Sequence, residues 1–351
     1  MRKILGTILC AILALITFGL SNAKAAETPQ FRINFTVQIS DSVSVDMGAI
    51  VLINPNKTKN GSTILVLNGI GQTANTFVPF AESVFADKTA GKKVARFVLL
   101  NYPGHGNSSL PIGAKFGDLS LGDYVTSLIE SLKVLDAIDI KPDFALGHSL
   151  GAEMLHIAQD RLINEGTSLR KAFGIKGAFF VAPDIVGPSP WGFVESGGAA
   201  GIAASLTVQD PNLGTVVEFP APVWIALFFG DLKGNVPAAA PTPDEAVAKG
   251  FISNDSALMA ASFLAIGMNR PNVAEGIFAP SQGTVAGLVS LQQDPIYTQA
   301  EHKALYVYLT KDQNATFFSV IEGADTVHNM HLINTAPLIQ MLTKVLSKAS
   351  K

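Results

Sequence analysis

Short apolar runs alternate with amphipathic helical stretches along the first half of the chain, and this alternation most constrains what the chain can fold into. The runs are rich in branched and aromatic residues, as buried strands are, and lie at residues 63–67, 94–100, 144–146 and 179–181. Strands that alternate with helices favour a mostly parallel α/β sheet covered by helices on both faces. Residues 31–53 alternate apolar and polar side chains instead, which predicts an antiparallel pair at the start.

Helices are predicted between these strands from apolar spacing and from capping residues. Ser120 with Asp123 three residues later forms a capping-box pattern, and apolar residues at helical spacing follow it. Further helices are predicted at residues 76–85, 150–164 and 337–346, and later strands at residues 304–309 and 317–321.

The rhythm breaks between residues 188 and 299, which are rich in Gly, Ala and Pro and show no clear alternation of strand and helix. One interrupted sheet domain explains this better than two independent domains, because the strand pattern resumes afterwards. We therefore expect an α/β core formed by residues 26–187 and 300–351, with residues 188–299 inserted as a cap or lid.

The first 25 residues have the form of a secretory signal peptide. Arg2 and Lys3 precede an uncharged apolar run over residues 4–20, and Ala-Lys-Ala at residues 23–25 is an A-x-A cleavage pattern. A membrane anchor is the alternative, but the run is marginal for a span and meets a cleavage site at once. The sequence therefore predicts a periplasmic or secreted protein with no stable membrane span after cleavage.

Composition excludes several kinds of chemistry for the mature chain. The single cysteine, Cys10, lies in the predicted signal peptide, so cleavage would leave no disulfide, no cysteine nucleophile and no cysteine metal ligand. Cleavage would also leave 22 basic residues against 28 acidic ones, a net charge of −6. No basic run interleaved with aromatic residues is present, which disfavours nucleic-acid binding. No metal cluster or phosphate-binding glycine loop is found, so no cofactor and no metal are expected.

Residues 147–151, Gly-His-Ser-Leu-Gly, match the pattern G-x-S-x-G. The pattern alone is weak, but here it follows a predicted strand directly and opens a predicted helix. A serine on such a sharp turn needs small residues two before and two after it, and Gly147 and Gly151 satisfy this. The turn also directs the backbone N–H of Leu150, at the positive end of the helix, toward the oxygen of a reacting group. Ser149 is therefore the candidate nucleophile.

With this motif in place, the chain resembles the α/β-hydrolase family over nearly all of its mature length apart from the insertion. Two further loops carry the resemblance. Pro-Gly-His-Gly-Asn-Ser at residues 103–108 matches a turn that the family often has near its site, and His105 is assigned a structural role in it. Asn-Gly-Ile-Gly at residues 68–71 matches the family's His-Gly loop, which implies Ile70 N–H as the second oxyanion donor beside Leu150. Asn68 departs from the usual histidine.

A serine nucleophile needs a base, and the resemblance implies where that base lies. Of the six histidines only His328 and His331 follow the last predicted strand, where the family has its base. His328 occupies the catalytic position and His331 is the alternative. The family's acid usually follows the preceding strand, which implies Asp312, with Asp184 as the alternative. The order Ser149, Asp312, His328 is the hydrolase order.

The implied activity is acyl transfer through an acyl-enzyme on a small-molecule or lipid-like ester. Apolar residues of the insertion suggest an acyl-binding pocket and therefore an apolar acyl group. A thioesterase, amidase or peptidase would use the same triad, and a catalytically inactive binding protein is the alternative outside enzymes. Epoxide hydrolases and haloalkane dehalogenases share the fold but have an aspartate at the nucleophile position, which disfavours both.

Overall fold

The computed structural model describes residues 28–56, 60–111, 119–184, 207–210, 214–217, 221–230, 235–252 and 272–349. The predicted signal peptide at residues 1–25 lies outside these ranges, as does much of the predicted cap at residues 188–299. None of the helices within the described ranges has both the length and the apolar character needed to cross a membrane.

A mostly parallel sheet of eight strands organises the molecule, in the order β1-β2-β4-β3-β5-β6-β9-β10. β1 and β2 form the antiparallel pair predicted from residues 31–53, and β2 pairs antiparallel with β4, while the remaining neighbours are parallel. β7 and β8 form a separate antiparallel hairpin. The strands are β1 (Gln30–Ser40), β2 (Val43–Ile53), β3 (Ser62–Leu67), β4 (Val94–Leu100), β5 (Phe144–His148), β6 (Gly177–Val181), β7 (Thr207–Asp210), β8 (Gly214–Val217), β9 (Val285–Leu291) and β10 (Phe318–Ile321).

Helices cover both faces of this sheet, which confirms the predicted fold class. The Ser120 side chain and Asp123 form the predicted capping box at the start of the second helix. The α-helices are α1 (Val78–Ala86), α2 (Leu121–Ala137), α3 (Leu150–Asn164), α4 (Leu169–Phe173), α5 (Ala221–Phe229), α6 (Pro243–Ala248), α7 (Gln299–Thr310) and α8 (Ala336–Ala349). Short 3-10 helices lie at Ala74–Phe77, Pro280–Gln282 and Met330–Leu332.

The hydrophobic core is divided between the two faces of the sheet. Because successive side chains of a strand point to opposite faces, Ala145 of β5 packs into the cluster that includes α2 and α3. Its neighbours Phe144 and Leu146 pack into the other cluster, with α1 and α8. The central strands are buried on both sides, as the continuous apolar runs predict.

Two predictions for the C-terminal half are wrong. Residues 304–309, predicted as a strand, belong to helix α7, which starts with a capping box between Thr298 and Glu301. The sheet strand is instead β9, which lies inside the range 188–299 that was predicted as the cap. A six-residue apolar run is compatible with either a strand or a buried helix, so its periodicity could not separate the two. That the remaining part of residues 188–299 forms a cap stays a prediction.

Candidate active site

Four neighbouring parallel strands end at the same edge of the sheet, and their loops meet there. The register pairs Leu67 with Gly147, His148 with Val181, and Val181 with Val289. In open α/β sheets ligands bind outside the carboxyl ends of the strands, where the strand order reverses, and here β3 lies between β4 and β5. The loops after β3, β5, β6 and β9 are therefore expected to form the functional site.

Ser149 lies on a sharp bend between β5 and α3, as the motif predicts. Its backbone has φ 51° and ψ −124°, a conformation that L residues adopt only when the surroundings impose it. The two flanking glycines allow the close packing that the bend requires. A Cβ on Gly147 would lie 2.5 Å from Ala152 Cα, and one on Gly151 would collide with the carbonyl oxygen of Leu67. The bend therefore presents the hydroxyl of Ser149 at the carboxyl edge of the sheet.

Two backbone donors predicted for an oxyanion lie beside this bend. Leu150 is the first residue of α3, where an N–H has no partner inside the helix and lies at the positive end of the helix dipole. The loop after β3 carries Ile70, and the preceding residue of this loop, Gly69, packs directly against Ser149. A Cβ on Gly69 would lie only 3.2 Å from Ser149 Cβ and 2.9 Å from His148 Nδ1.

Buried amides hold the loop after β3, at the position where the family usually has histidine. Asn68 Nδ2 donates to Gln72 O (2.6 Å), and the Asn68 carbonyl accepts from the Tyr102 hydroxyl. Gln72 Oε1 accepts from Gly69 N (3.1 Å), and Gln72 Nε2 donates to Asn329 Oδ1 (2.7 Å). Because Asn329 follows His328 directly, Gln72 joins the predicted oxyanion loop to the predicted histidine loop. Asn68 thus replaces a histidine without removing the support of the loop.

His328 forms a buried pair with Asp294. Its Nδ1 lies 3.0 Å from Asp294 Oδ2, and both side chains are fully buried. Burial on its own raises the pKa of the Asp294 carboxyl, but the charge and hydrogen bond of His328 outweigh burial, and the pKa lies below its ordinary value. Asp294 therefore stays ionised and keeps the proton on Nδ1, which leaves Nε2 of His328 as the basic nitrogen.

The structure does not pair the predicted acid, Asp312, with His328. Asp312 lies just beyond the C-terminal end of α7, where its carboxylate accepts from Thr316 N (2.7 Å) and from the Tyr306 hydroxyl (3.3 Å). It is not hydrogen-bonded to His328. The prediction assumed a strand at residues 304–309, and the acid that follows the real strand β9 is Asp294. The sequence offered a signal for it, because residues 285–291 are an apolar run followed by Gln-Gln-Asp-Pro.

Asp184, the alternative acid, contacts the candidate nucleophile Ser149 and not His328. Ser149 Oγ donates to Asp184 Oδ1 (3.1 Å), and the Tyr297 hydroxyl donates to the same oxygen (3.2 Å). Among the described residues Nε2 of His328 has no hydrogen-bond partner. The serine hydroxyl is therefore hydrogen-bonded to a carboxylate in this structure, and not to His328.

His148 connects the bend to the histidine loop. Its Nε2 lies 2.9 Å from the His328 carbonyl oxygen, so that nitrogen carries the proton and donates. The His148 ring lies 4.9 Å from the His328 ring and 4.6 Å from the His331 ring, between centroids. Burial, together with the nearby His328, lowers the pKa of His148 to about 3. This neutral ring therefore links the bend that carries Ser149 to the loop that carries His328.

His331, the alternative base, stacks on Phe77 with ring centroids 4.1 Å apart and the rings nearly parallel. Burial, and then the neighbouring histidines His148 and His328, lower the pKa of His331 well below its ordinary value. Neither of its ring nitrogens has a hydrogen-bond partner among the described residues. His331 is therefore a packing residue behind the site.

The other three histidines have structural positions. His105 lies in its predicted turn, where Nδ1 contacts the Pro103 carbonyl oxygen (3.2 Å). His302 on α7 bridges Ser290 Oγ (2.9 Å) and the Pro183 carbonyl oxygen (3.1 Å), next to Asp184. His156 on α3 packs edge-on against the rings of Phe180 and Phe278.

Replacing His156 by leucine is expected to stabilise the protein, most of all in mild acid. Burial lowers the pKa of His156 to about 3, whereas an unfolded histidine titrates near its ordinary value. The unfolded chain therefore binds the extra proton between about pH 6.5 and pH 3, and stability falls as the pH falls through that range. At pH 4.5 the His156→Leu variant should gain about 2–3 kcal/mol over wild type in urea unfolding. In His156→Gln, whose side chain cannot titrate, the free energy of unfolding should also depend less on pH. If the free energy of unfolding falls with pH as steeply in both variants as in wild type, this account is contradicted.

Aromatic side chains of α5 cover the histidine. The Phe228 ring lies 5.5 Å from the His328 ring, and the Phe228 carbonyl oxygen accepts from Asn329 N (3.1 Å). Trp224, fully buried, packs on Phe228 and Phe229.

Within the described ranges, no three His, Cys, Asp or Glu side chains are grouped as a metal ion would require.

Comparison with known proteins supports the fold and the family. A sequence model described as the alpha/beta hydrolase family matches residues 64–335, more than three quarters of the chain. No curated protein matches the sequence.

Many solved structures are similar to this one at low sequence identity. A membrane phospholipase A, described as a bacterial virulence factor, is 16% identical with a TM-score of 0.58, over 91% of this chain and 87% of its own. An enol-lactonase from Burkholderia xenovorans is 14% identical with a TM-score of 0.55, over 86% and 97%. A laboratory-evolved potato epoxide hydrolase is 15% identical with a TM-score of 0.57, over 91% and 99%. At these identities the similarity concerns the fold alone.

Proposed function

The chain belongs to the alpha/beta hydrolase family, and we propose that it is a serine hydrolase that cleaves carboxylic esters through Ser149, His328 and Asp294. The observation that carries the proposal is the buried hydrogen bond between His328 Nδ1 and Asp294 Oδ2, on a loop tied to the nucleophile bend by His148. A base oriented by an ionised acid beside a serine on a sharp bend is the arrangement that acyl transfer needs.

The proposed reaction starts with a rotation of the Ser149 side chain from Asp184 toward Nε2 of His328. His328 accepts the hydroxyl proton as Oγ forms a bond to the ester carbonyl carbon, and Asp294 stabilises the imidazolium. The N–H groups of Leu150 and Ile70 donate to the carbonyl oxygen as it becomes negative. His328 then gives the proton to the departing alcohol, and a water molecule releases the acid from the acyl-enzyme by the same steps.

Two features support an ester substrate with an apolar acyl group. The residue on the bend is serine, whereas the epoxide hydrolases that share this fold have aspartate at that position. The Phe228 ring, which lies 5.5 Å from the His328 ring and is backed by Trp224, is an apolar surface next to the proposed base. Thioesters and amides use the same chemistry and are the alternative substrates. Export through the N-terminal signal sequence is part of the proposal.

A fluorophosphonate probe tests the nucleophile, because it phosphonylates only an activated serine. We expect the wild-type chain to be labelled, and to hydrolyse p-nitrophenyl esters faster as the acyl chain lengthens from acetate to octanoate. Ser149→Ala should abolish labelling and hydrolysis. Ser131→Ala, which removes a buried hydroxyl from α2, should keep both.

Absence of labelling in correctly folded wild-type protein would favour a non-catalytic binding protein and refute the proposal. Hydrolysis without any dependence on acyl length would refute only the apolar acyl pocket.

A further inference from the structure

The nucleophile shares a carboxylate oxygen with a tyrosine. Asp184 Oδ1 accepts from Ser149 Oγ at 3.1 Å and from the Tyr297 hydroxyl at 3.2 Å. Ser149 and Asp184 are only 2% and 6% exposed, so the contact lies inside the protein. Asp184 is not the partner of His328, since that role is taken by Asp294. The proposed mechanism therefore leaves a buried carboxylate at the nucleophile unexplained.

The backbone around Asp184 is firmly held. Its N–H donates to the Ser149 carbonyl oxygen (3.3 Å), so the carboxylate is fixed relative to the bend. One residue earlier, the Pro183 carbonyl accepts from His302 Nε2 (3.1 Å), and His302 Nδ1 contacts Ser290 Oγ (2.9 Å). Ala182 has φ 42°, which only imposed packing maintains in an alanine. The backbone that carries the carboxylate is thus held in a defined position beside Ser149.

Catalysis removes one of the donors from this carboxylate. Ser149 must turn its hydroxyl toward His328 to be deprotonated, and Oδ1 of Asp184 then loses the hydrogen bond from Ser149 while it keeps the one from Tyr297. A buried carboxylate that loses a hydrogen bond is stabilised by any new donor that takes the place of the lost one. The carbonyl carbon under attack is one covalent bond from Ser149 Oγ, so a donor on a neighbouring acyl carbon comes within reach of Oδ1.

We propose that Asp184 and Tyr297 form a subsite for a hydrogen-bond donor carried by the acyl group next to the scissile carbonyl. This inference rests on the proposed ester hydrolysis and names its substrate class: esters of acids with a hydroxyl or ammonium group on the α or β carbon. The same carboxylate repels an acyl group that ends in a carboxylate of its own, so half-esters of short dicarboxylic acids are poor substrates.

The test compares kcat/KM for ethyl esters that differ in one acyl substituent. The substrates are ethyl butyrate, its 2-hydroxy, 3-hydroxy and 2-amino derivatives, and monoethyl succinate. For the wild-type protein we expect at least one hydroxy or amino ester to exceed ethyl butyrate by about tenfold or more, as a hydrogen bond to a charged group allows. Monoethyl succinate should be the slowest. A preference for the amino over the hydroxy ester would identify the donor as a cation; the reverse would identify a neutral hydroxyl.

Variants of Asp184 decide whether the carboxylate causes the preference. In Asp184→Leu, which has no acceptor, the ratio of substituted to unsubstituted ester should fall to about one. Asp184→Asn retains an acceptor without charge, and should restore part of the hydroxy preference but not the amino preference. Tyr297→Phe should reduce the ratio less. Asp312→Asn makes the same chemical change in a carboxylate that is hydrogen-bonded to Tyr306 and Thr316, and should leave the wild-type ratio unchanged.

Equal rates for substituted and unsubstituted esters in wild type, or an unchanged ratio in Asp184→Leu and Asp184→Asn, would overturn the subsite while the ester hydrolase stands. If no ester is hydrolysed and the fluorophosphonate does not label Ser149, the proposed function is refuted and the subsite is refuted with it.

Discussion

Replacing His328 by alanine is expected to lower kcat for ester hydrolysis by about 10⁶-fold, the size of effect seen when a triad base is removed. The reason is that the neighbouring imidazole of His148 is poorly suited to take over as proton acceptor. His148 keeps its Nε2 proton on the His328 carbonyl, and burial lowers its pKa to about 3. Initial rates on p-nitrophenyl butyrate, with the release of nitrophenolate followed by absorbance, measure the loss.

His331→Phe is the matched control, because phenylalanine can keep the stacked contact with Phe77. We expect its kcat to stay within about tenfold of wild type, since an imidazole with a strongly lowered pKa is a poor proton acceptor near neutral pH. A loss in His331→Phe as large as that in His328→Ala would show that the base has been assigned to the wrong histidine.

Asp294→Asn is expected to lower kcat by about 10⁴-fold with little change in KM. An asparagine amide at this position can stabilise neither the imidazolium nor the tautomer with the proton on Nδ1. The carboxylate also accepts from Ile296 N at 2.9 Å, so Asp294→Asn disturbs the loop less than a truncation would. Thermal unfolding of the variant checks that the fold is retained.

The variant Asp312→Asn tests the prediction made from the sequence, in which Asp312 and not Asp294 is the acid. Asp312 caps the turn after α7 and is hydrogen-bonded to Tyr306 and Thr316, so its replacement should cost stability and leave kcat within about twofold. The reverse ranking of the two aspartates would restore Asp312 as the acid and reject the role of Asp294.

The sequence was most informative where one residue type is physically required. The bend around Ser149 needs glycine at positions 147 and 151, and the structure has at both the close contacts that explain the requirement. The first strands were also predictable, because continuous apolar runs suit strands buried on both faces. Each of these predictions depends on local geometry alone.

The acid was not predictable by the same reasoning, because it depends on which distant segment completes the sheet. Residues 304–309 and residues 285–291 are both short apolar runs followed by an aspartate. Thr298 and Glu301 carried the information that separates them, since a capping box marks the start of a helix. The contact of Asp184 with Ser149 had no signal in the sequence, as it joins loops from different strands.

The bond between Phe228 and Asn329 has a consequence for how a substrate enters. Ser149 is 2% exposed and His328 is fully buried, so we expect some part of the protein to move when an ester enters. The ring of Phe228 on helix α5 lies 5.5 Å from the His328 ring, and the Phe228 carbonyl oxygen accepts from the N–H of Asn329, the residue immediately after His328. We therefore expect a movement of α5 to shift the His328 imidazole as well, so that a change in this helix would alter the rate of proton transfer.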